Sequence, residues 1–170
     1  KTMPWTTTFC IIGAMSISAF PLMSGFAAKS VIASAAGEYA PTIVTFVLLF
    51  ASAGVMEHSG IKIPFFAFFA HDSGKRPQEA PWNMLAAMAI AAILCIFIGV
   101  YPQALYQLLP YQEVVYHGKS ISMLEYTPYD VTHVVTQLEL LLFAALAFAF
   151  LLRTGVYPAE ERAVNLDFDW

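Results

Sequence analysis

Lys29 interrupts an apolar stretch, Leu22-Met23-Ser24-Gly25-Phe26-Ala27-Ala28-Lys29-Ser30-Val31-Ile32, in which it is the one charge. An ionisable group at the centre of a membrane helix costs roughly 2.5–3.5 kcal/mol or more, and such groups mark proton and ion pathways more often than not. A poorly solvated amine can release a proton and take it back, which is the chemistry of a proton carrier. The plainer reading is a lysine that snorkels to the interface from the end of a short helix. Pro21 breaks the run just before it, and Ser24 and Gly25 fit an irregular backbone at depth, tolerated only where protein or water lines it.

A second group is Glu57, His58 and Lys62. His58 and Lys62 are four residues apart and share a helix face. An acid, an imidazole and an amine at one end of a span fit a proton relay, with histidine titrating nearest neutrality. They fit equally an interfacial charge cluster anchoring the helix end beside Pro64. A third group, His133, Gln137 and Glu139, lies in the first turns of the last apolar segment. Polar residues there are expected at headgroup level, needing no protein partner. His71 and His117 are loop residues with no companion ligands, so no metal site is expected. Cys10 and Cys95 sit inside apolar runs and read as small hydrophobes. No phosphate-binding glycine loop, nucleophile elbow or zinc motif is present, so the chain is expected to carry no catalytic site and no cofactor of its own.

The elements that must position these groups are membrane helices. Of 170 residues, 59% are hydrophobic and 12% charged, about half the charged share of a soluble domain. No Asp, Glu, Lys or Arg occurs from Thr2 to Ala28, from Tyr39 to Met56 or from Ala80 to Gln112. Each window is long enough to cross roughly 30 Å of hydrocarbon as a helix. The net charge of −4 excludes the basic patch a nucleic-acid binder needs. The expected fold is all-α and polytopic, with about five transmembrane segments near 5–20, 22–36, 41–69, 82–108 and 133–152. The segment after Pro21 is short or discontinuous. Residues 1–153 then form one membrane domain and 154–170 a tail, and 111–130 is a connector too polar to insert. With five crossings, Lys75, Arg76, Arg153 and Arg162 fall on one side, against Lys1 and Lys119 on the other. That bias places the 71–80 loop and the tail in the cytoplasm. The chain opens on Lys1 instead of Met, which suggests a fragment or a processed product.

Met3-Pro4, Ile12-Gly13 and the run Phe20-Pro21-Leu22-Met23-Ser24-Gly25-Phe26-Ala27-Ala28-Lys29 form a long ordered pattern. It resembles the antiporter-like membrane subunits shared by respiratory complex I and the Mrp-type multisubunit sodium/proton antiporters. His58-Ser59-Gly60-Ile61-Lys62-Ile63-Pro64-Phe65-Phe66, with Gly74-Lys75-Arg76-Pro77 and Ala80-Pro81-Trp82-Asn83-Met84, is more similar to the D component of the Mrp-type antiporters. The resemblance covers nearly the whole chain and weakens in the 111–130 connector. It implies the C-terminal part of a protein of about fourteen helices, built from two inverted repeats of about five, with sites near the membrane midplane. Trp5–Phe20 would be the eleventh helix and Ser24–Ala36 part of a discontinuous twelfth. Lys29 matches the family's proton-carrying lysine, with Glu57, His58 and Lys62 connecting it to the surface.

The first repeat, with its glutamate–lysine pair and central lysines, is absent here, so this chain alone is not expected to pump or exchange. The implied partners are the lipid bilayer and other membrane subunits of a multisubunit antiporter. The cargo is protons, with sodium an open alternative, and the location is the bacterial inner membrane. The same pattern leaves two other readings open. One is a proton-pumping subunit of an NADH–quinone oxidoreductase of the complex I type. The other is a structural membrane scaffold in which Lys29 only pairs with a neighbouring subunit.

Overall fold

The computed structural model describes residues 3–70, 74, 76–110, 113–116 and 118–156. Lys1, His71, Lys75, His117, Arg162 and most of the tail lie outside the described residues, and with them half of the charges that set the expected orientation.

Helix α1 (Pro4–Ile17) opens on a proline, whose missing N–H is harmless at a first helical position. Its end is closed by a paired motif: Phe20 N–H donates to the Met15 carbonyl at 2.9 Å and Ala19 N–H to that of Ser16 at 3.0 Å. Such a closure needs one left-handed residue, usually glycine; here Ala19 takes it, at φ 55°. A second turn follows at once, with Met23 N–H donating to the Phe20 carbonyl at 3.1 Å. Pro21 holds its second position and Leu22, at φ 70°, its third, the pattern of a type II turn that normally places glycine there. Two non-glycine residues in the left-handed region, each costing of order 1–3 kcal/mol, therefore make the break between α1 and α2 (Ser24–Tyr39).

α3 (Thr42–Val55) runs on without interruption through two π-helical stretches, Met56–Lys62 and Phe65–Phe69, as one 28-residue helix over Thr42–Phe69. Pro64 lies between those stretches. A proline inside a helix lacks an N–H and crowds the carbonyl one turn back, and the wider turns on either side accommodate that conflict. α4 (Trp82–Val100), the short α5 (Gln103–Tyr106), a hairpin of β1 (Glu113–Tyr116) and β2 (Lys119–Ser122), and α6 (Val131–Thr154) complete the order. The strands pair antiparallel, Glu113 opposite Ser122 and Tyr116 opposite Lys119. The expected polar connector is thus a folded cap, whose small core of Tyr106, Met123 and Tyr126 rests against Val31 of α2.

Among the described residues, three helices are long and apolar enough to cross a membrane: Thr42–Phe69, Trp82–Val100 and Val131–Thr154. α1 and α2, at 14 and 16 residues, are each shorter than the ~20 a crossing requires. Their direction decides their role. Ala36 of α2 lies against Thr45, whose hydroxyl donates to its carbonyl at 3.2 Å; Gly25 and Lys29 share a cavity wall with Ser52 and Val55; and Gly60 packs on Ser18 of α1. As the number rises along the long helix, the facing residue falls steadily through α2 and on into α1. The two short helices therefore run the same way, antiparallel to the long helix, as two halves of one broken pass.

Among the described residues this pair of short helices thus stands beside three helices long enough to cross, within the expected all-helical architecture. The start of the chain packs against the segment before α4. Glu79, just before α4, accepts from Trp5 N–H and Thr6 N–H at 3.1 Å each, and from the Thr6 hydroxyl. A five-crossing count puts these two regions on opposite sides; the structure joins them at one end. A carboxylate on the first N–H groups of a helix is a cap supplied from a distant segment. The Thr6 hydroxyl, with the backbone N–H groups of Thr6 and Trp5, holds the Glu79 carboxyl below its ordinary value of 4.5. Because the folded value is the lower one, the contact stabilises fully above that ordinary value and is lost as pH falls through the folded one. Glu79→Gln is expected to speed hydrogen exchange at the Trp5 and Thr6 amides near neutral pH. Wild type is expected to show the same loss of protection only in acid; protection equal in the two proteins at pH 7 would refute the cap.

Large apolar side chains remain outside, among them Phe50 at 76% and Trp82 at 82% exposure. α3 buries none of its residues. A continuous apolar exterior of this kind is a membrane or subunit surface and not a water-facing one.

Candidate functional site

The broken pass places Lys29 one and a half turns into α2, beside the end of α1. Ser16 and Ser24 hydroxyls meet across the break at 2.9 Å, so the two halves overlap side by side. Three glycines permit this approach. A Cβ on Gly25 would collide with the Ser16 carbonyl, one on Gly60 with the Ser18 hydroxyl, and one on Gly99 with the Leu22 carbonyl. Each comes from a different helix, and all three close on the segment from Ser16 to Met23.

Lys29 Nζ donates to Gln137 Oε1 at 2.7 Å. Gln137 in turn donates from Nε2 to the Ser18 carbonyl at 2.9 Å and lies 4.0 Å from Met56 Sδ. The backbone oxygen of Ser18 can only accept, which fixes the amide: nitrogen toward Ser18, oxygen toward Lys29. Ser18 is the C-cap of α1, where helix carbonyls lack internal partners and carry partial negative charge. Gln137 therefore links the amine to the negative end of a helix through one amide. Met56, buried to 1% exposure, begins the first π-helical stretch.

A second polar group lies one to two turns further along α2. Ser34 Oγ is 2.9 Å from the Ser30 carbonyl, 3.0 Å from Tyr126 Oη and 3.1 Å from His133 Nε2. The Ser34 hydroxyl thus gathers the Ser30 carbonyl, Tyr126 and His133 into one polar group. Tyr106 donates to the Ala27 carbonyl at 3.0 Å. Burial first, then the neighbouring Tyr126 and Tyr129, push its hydroxyl well above the ordinary 10.0. It stays protonated, as a fixed donor. Tyr129, also raised by burial, donates to the Gly99 carbonyl and stacks on Phe26 at 5.3 Å between ring centres.

Two cavities meet Lys29. One, about 370 Å³, lies between α2 and α3 and is walled by small and apolar residues including Ala28, Ala33, Leu48 and Ser52. The other, about 90 Å³, lies between α2 and α6 and is walled in part by Lys29, Ser30, Thr132, His133, Thr136 and Gln137.

The expected sites fall unevenly on this geometry. Lys29, Pro21, Ser24 and Gly25 are at the break, where the sequence places them. Glu57, His58 and Lys62 lie in the π-helical stretch beyond Met56 and line neither cavity; His58 is exposed, while Glu57 and Lys62 are half-buried and engage neighbours. The expected headgroup role of His133 and Gln137 does not hold. Gln137 is 6% exposed, enclosed by Lys29, Ser18 and Met56, which it contacts. Glu139, on another face, is exposed as expected. Ser34, Tyr126 and Glu79 carry no sequence signal that distinguishes them from ordinary polar residues. Among the described residues no group of His, Cys, Asp and Glu could hold a metal, and Cys10 and Cys95 are free thiols.

No family model and no solved structure matches the chain. It is similar to hydrogenase-4 component B of Escherichia coli (strain K12), 30% identical over 113 residues, 59% of this chain and 17% of that protein. It is also similar to NADH-ubiquinone oxidoreductase chain 5 of Metridium senile, 24% identical over 105 residues, 58% of this chain and 17% of that protein. The chain thus spans about a sixth of the length of these curated relatives. Both relatives are named as parts of larger assemblies, one a component and one a chain.

Proposed function

We propose that the chain forms the C-terminal part of a cation/proton antiporter-like membrane subunit, a proton half-channel centred on Lys29 in the broken pass. The carrying observation is the Lys29–Gln137–Ser18 chain, which seats a basic side chain at a helix break beside two cavities. A lysine placed only to anchor a helix end would reach outward to headgroups; this one turns inward to a buried amide. Glu57, His58 and Lys62, nearer the end that Glu79 ties to α1, supply the groups connecting Lys29 to that side. The neighbours are other membrane subunits in a bacterial inner membrane, with the 71–80 loop and the tail on the cytoplasmic face. The Glu79 contacts bring the start of α1 to that same face.

The transported ion is the proton, with sodium exchange, as in the D component of Mrp-type antiporters, the finer reading. The relatives' names favour a second one: both belong to redox assemblies, a hydrogenase and an NADH–ubiquinone oxidoreductase. In that case the same half-channel serves proton pumping driven by partner subunits. Lys29→Ala in the intact assembly, followed by pH-gradient formation in inverted vesicles, tests both. The expected result is loss of proton movement of about a hundredfold, the scale of removing a proton-transfer group. Unchanged proton movement would sink the half-channel in either assembly. A sodium-dependent gradient in wild type selects the antiporter, and one dependent on an electron donor selects the redox pump.

A further inference from the structure

We infer that Gln137 is a positioning residue that holds the Lys29 side chain in one place in both of its charge states, so that the proton is carried without the side chain swinging. This role rests on the half-channel reading of Lys29 and adds to it how the carrier is held.

The partner's chemistry comes first. Lys29 Nζ donates to a neutral oxygen, Gln137 Oε1, at 2.7 Å. Among the described residues that line the two cavities beside Lys29, none is an aspartate or a glutamate. The polar groups sharing those cavities are Thr45 and Ser52 from the long helix, Ser30 from α2, and Thr132, His133 and Thr136 from α6 beside Gln137. His133 is the titratable one among them. A bond from an ammonium to an amide oxygen is charge-assisted, yet it outlasts the charge. When the ammonium passes one proton to the next group of the half-channel, the neutral amine keeps two N–H bonds, and one of them still reaches the same oxygen. A carboxylate in that place would pair with the ammonium by charge and resist the release.

The amide, in turn, has one orientation open to it. Gln137 Nε2 lies 2.9 Å from the Ser18 carbonyl and 4.0 Å from Met56 Sδ. A carbonyl and a thioether accept and cannot donate, so both call for the nitrogen and its two hydrogens. A flipped amide would set its oxygen against both acceptors and its own N–H groups against the ammonium. The surroundings leave little slack. Ser18, Met56 and Gln137 are all buried, and Gly60, four residues after Met56, packs so closely on Ser18 that a Cβ would collide with its hydroxyl. The base of the Lys29 side chain is fixed on the same helix end. Gly25, one turn before it, meets the Ser16 carbonyl with no room for a Cβ, two residues from Ser18. Carrier and acceptor are thus both seated on the last turn of α1, which sets the distance between them.

The test compares Gln137→Glu and Gln137→Leu across a range of pH in the intact assembly, in inverted vesicles with a pH-sensitive dye, with Lys29→Ala as the reference. Gln137→Glu keeps the size and an oxygen for Lys29, but sets a negative charge beside it. The expected result is an assembled complex whose proton movement is cut about tenfold or more near neutral pH. Part of that loss, relative to wild type, is regained in alkaline medium, where the held proton is drawn off. Gln137→Leu offers neither oxygen nor charge, and its loss is expected to be the same at every pH. A residue that only fills space would not separate the two profiles. Should Gln137→Glu fail to assemble, Gln137→Asn carries the test: it keeps the neutral amide and draws the oxygen back by one methylene. Its expected loss is about tenfold without a change of profile, within the cost of a misplacement of about 1 Å at a reacting group. If Lys29→Ala abolishes proton movement while Gln137→Glu or Gln137→Asn matches wild type, or the Glu and Leu profiles run parallel, the positioning role is overturned and the half-channel stands. If Lys29→Ala changes nothing, both fail.

Discussion

Gly25→Ala is expected to destroy the broken pass while leaving every charge in place. The added Cβ would collide with the backbone carbonyl of Ser16. That atom belongs to the last turn of α1 and cannot swing aside as a side-chain tip would. Overpacking of this kind costs about 1–3 kcal/mol, occasionally more, and relieving it must push α1 and α2 apart at the Ser16–Ser24 contact. Lys29, one turn further on, moves with α2 and loses its register with Gln137. The expected outcome is a melting temperature lowered by several degrees in the detergent-solubilised assembly and little or no proton movement. Gly37→Ala, on the same helix, is the control: a Cβ there meets nothing within 4 Å. Helix propensity favours alanine by up to about 1 kcal/mol, so stability should hold or rise. Equal behaviour of the two variants would show that the close approach at Gly25 is unimportant.

The second large effect is expected at Gln137. Gln137→Leu keeps the bulk, but removes an acceptor from Lys29 and a donor from the Ser18 carbonyl at once. Leaving a buried polar group unsatisfied costs about 1–3 kcal/mol, and more where the group is charged. Lys29 would then turn away from α6 or draw water through the break. Proton movement is expected to fall about tenfold or more, with a loss of thermal stability that Lys29→Ala in the same background partly restores. That partial recovery is the signature of a coupled pair. Purely additive losses in the double variant would mean that the amide and the amine act independently.

What the sequence makes legible follows from what each signal measures. Uncharged windows report apolarity and length, so the membrane class and the three long helices are readable directly. They do not report direction. Trp5–Phe20 and Leu22–Ala36 look like two spans, and only their shared sense against the long helix makes them halves of one. The break itself is half visible: Pro21 announces it, but the left-handed positions fall on Ala19 and Leu22, residues that never advertise such a backbone. Lys29 stands out because a charge in an apolar run is costly. Gln137 does not, since a neutral amide near a helix start looks the same whether neighbouring helices cover it or lipid headgroups do. Glu79 reads as a loop residue because its partners lie more than seventy positions away. Glu57, His58 and Lys62 are conspicuous by type and spacing, while Ser30, Thr132 and Thr136, which line the cavity between α2 and α6, carry no such signal.

Lys29→Arg is the measurement that separates carriage of a proton from possession of a charge. Arginine keeps the positive charge and can still donate to Gln137, but it does not give up its proton in a protein. The cavity of about 370 Å³ beside Lys29 has room for the larger guanidinium, so folding and assembly are expected to survive. A scaffold lysine, needed only for its charge, would be replaced successfully. The expected result in inverted vesicles is an assembled complex at wild-type abundance with proton movement reduced about a hundredfold, as for Lys29→Ala. Proton movement at the wild-type rate in the arginine variant would contradict a proton half-channel centred on Lys29.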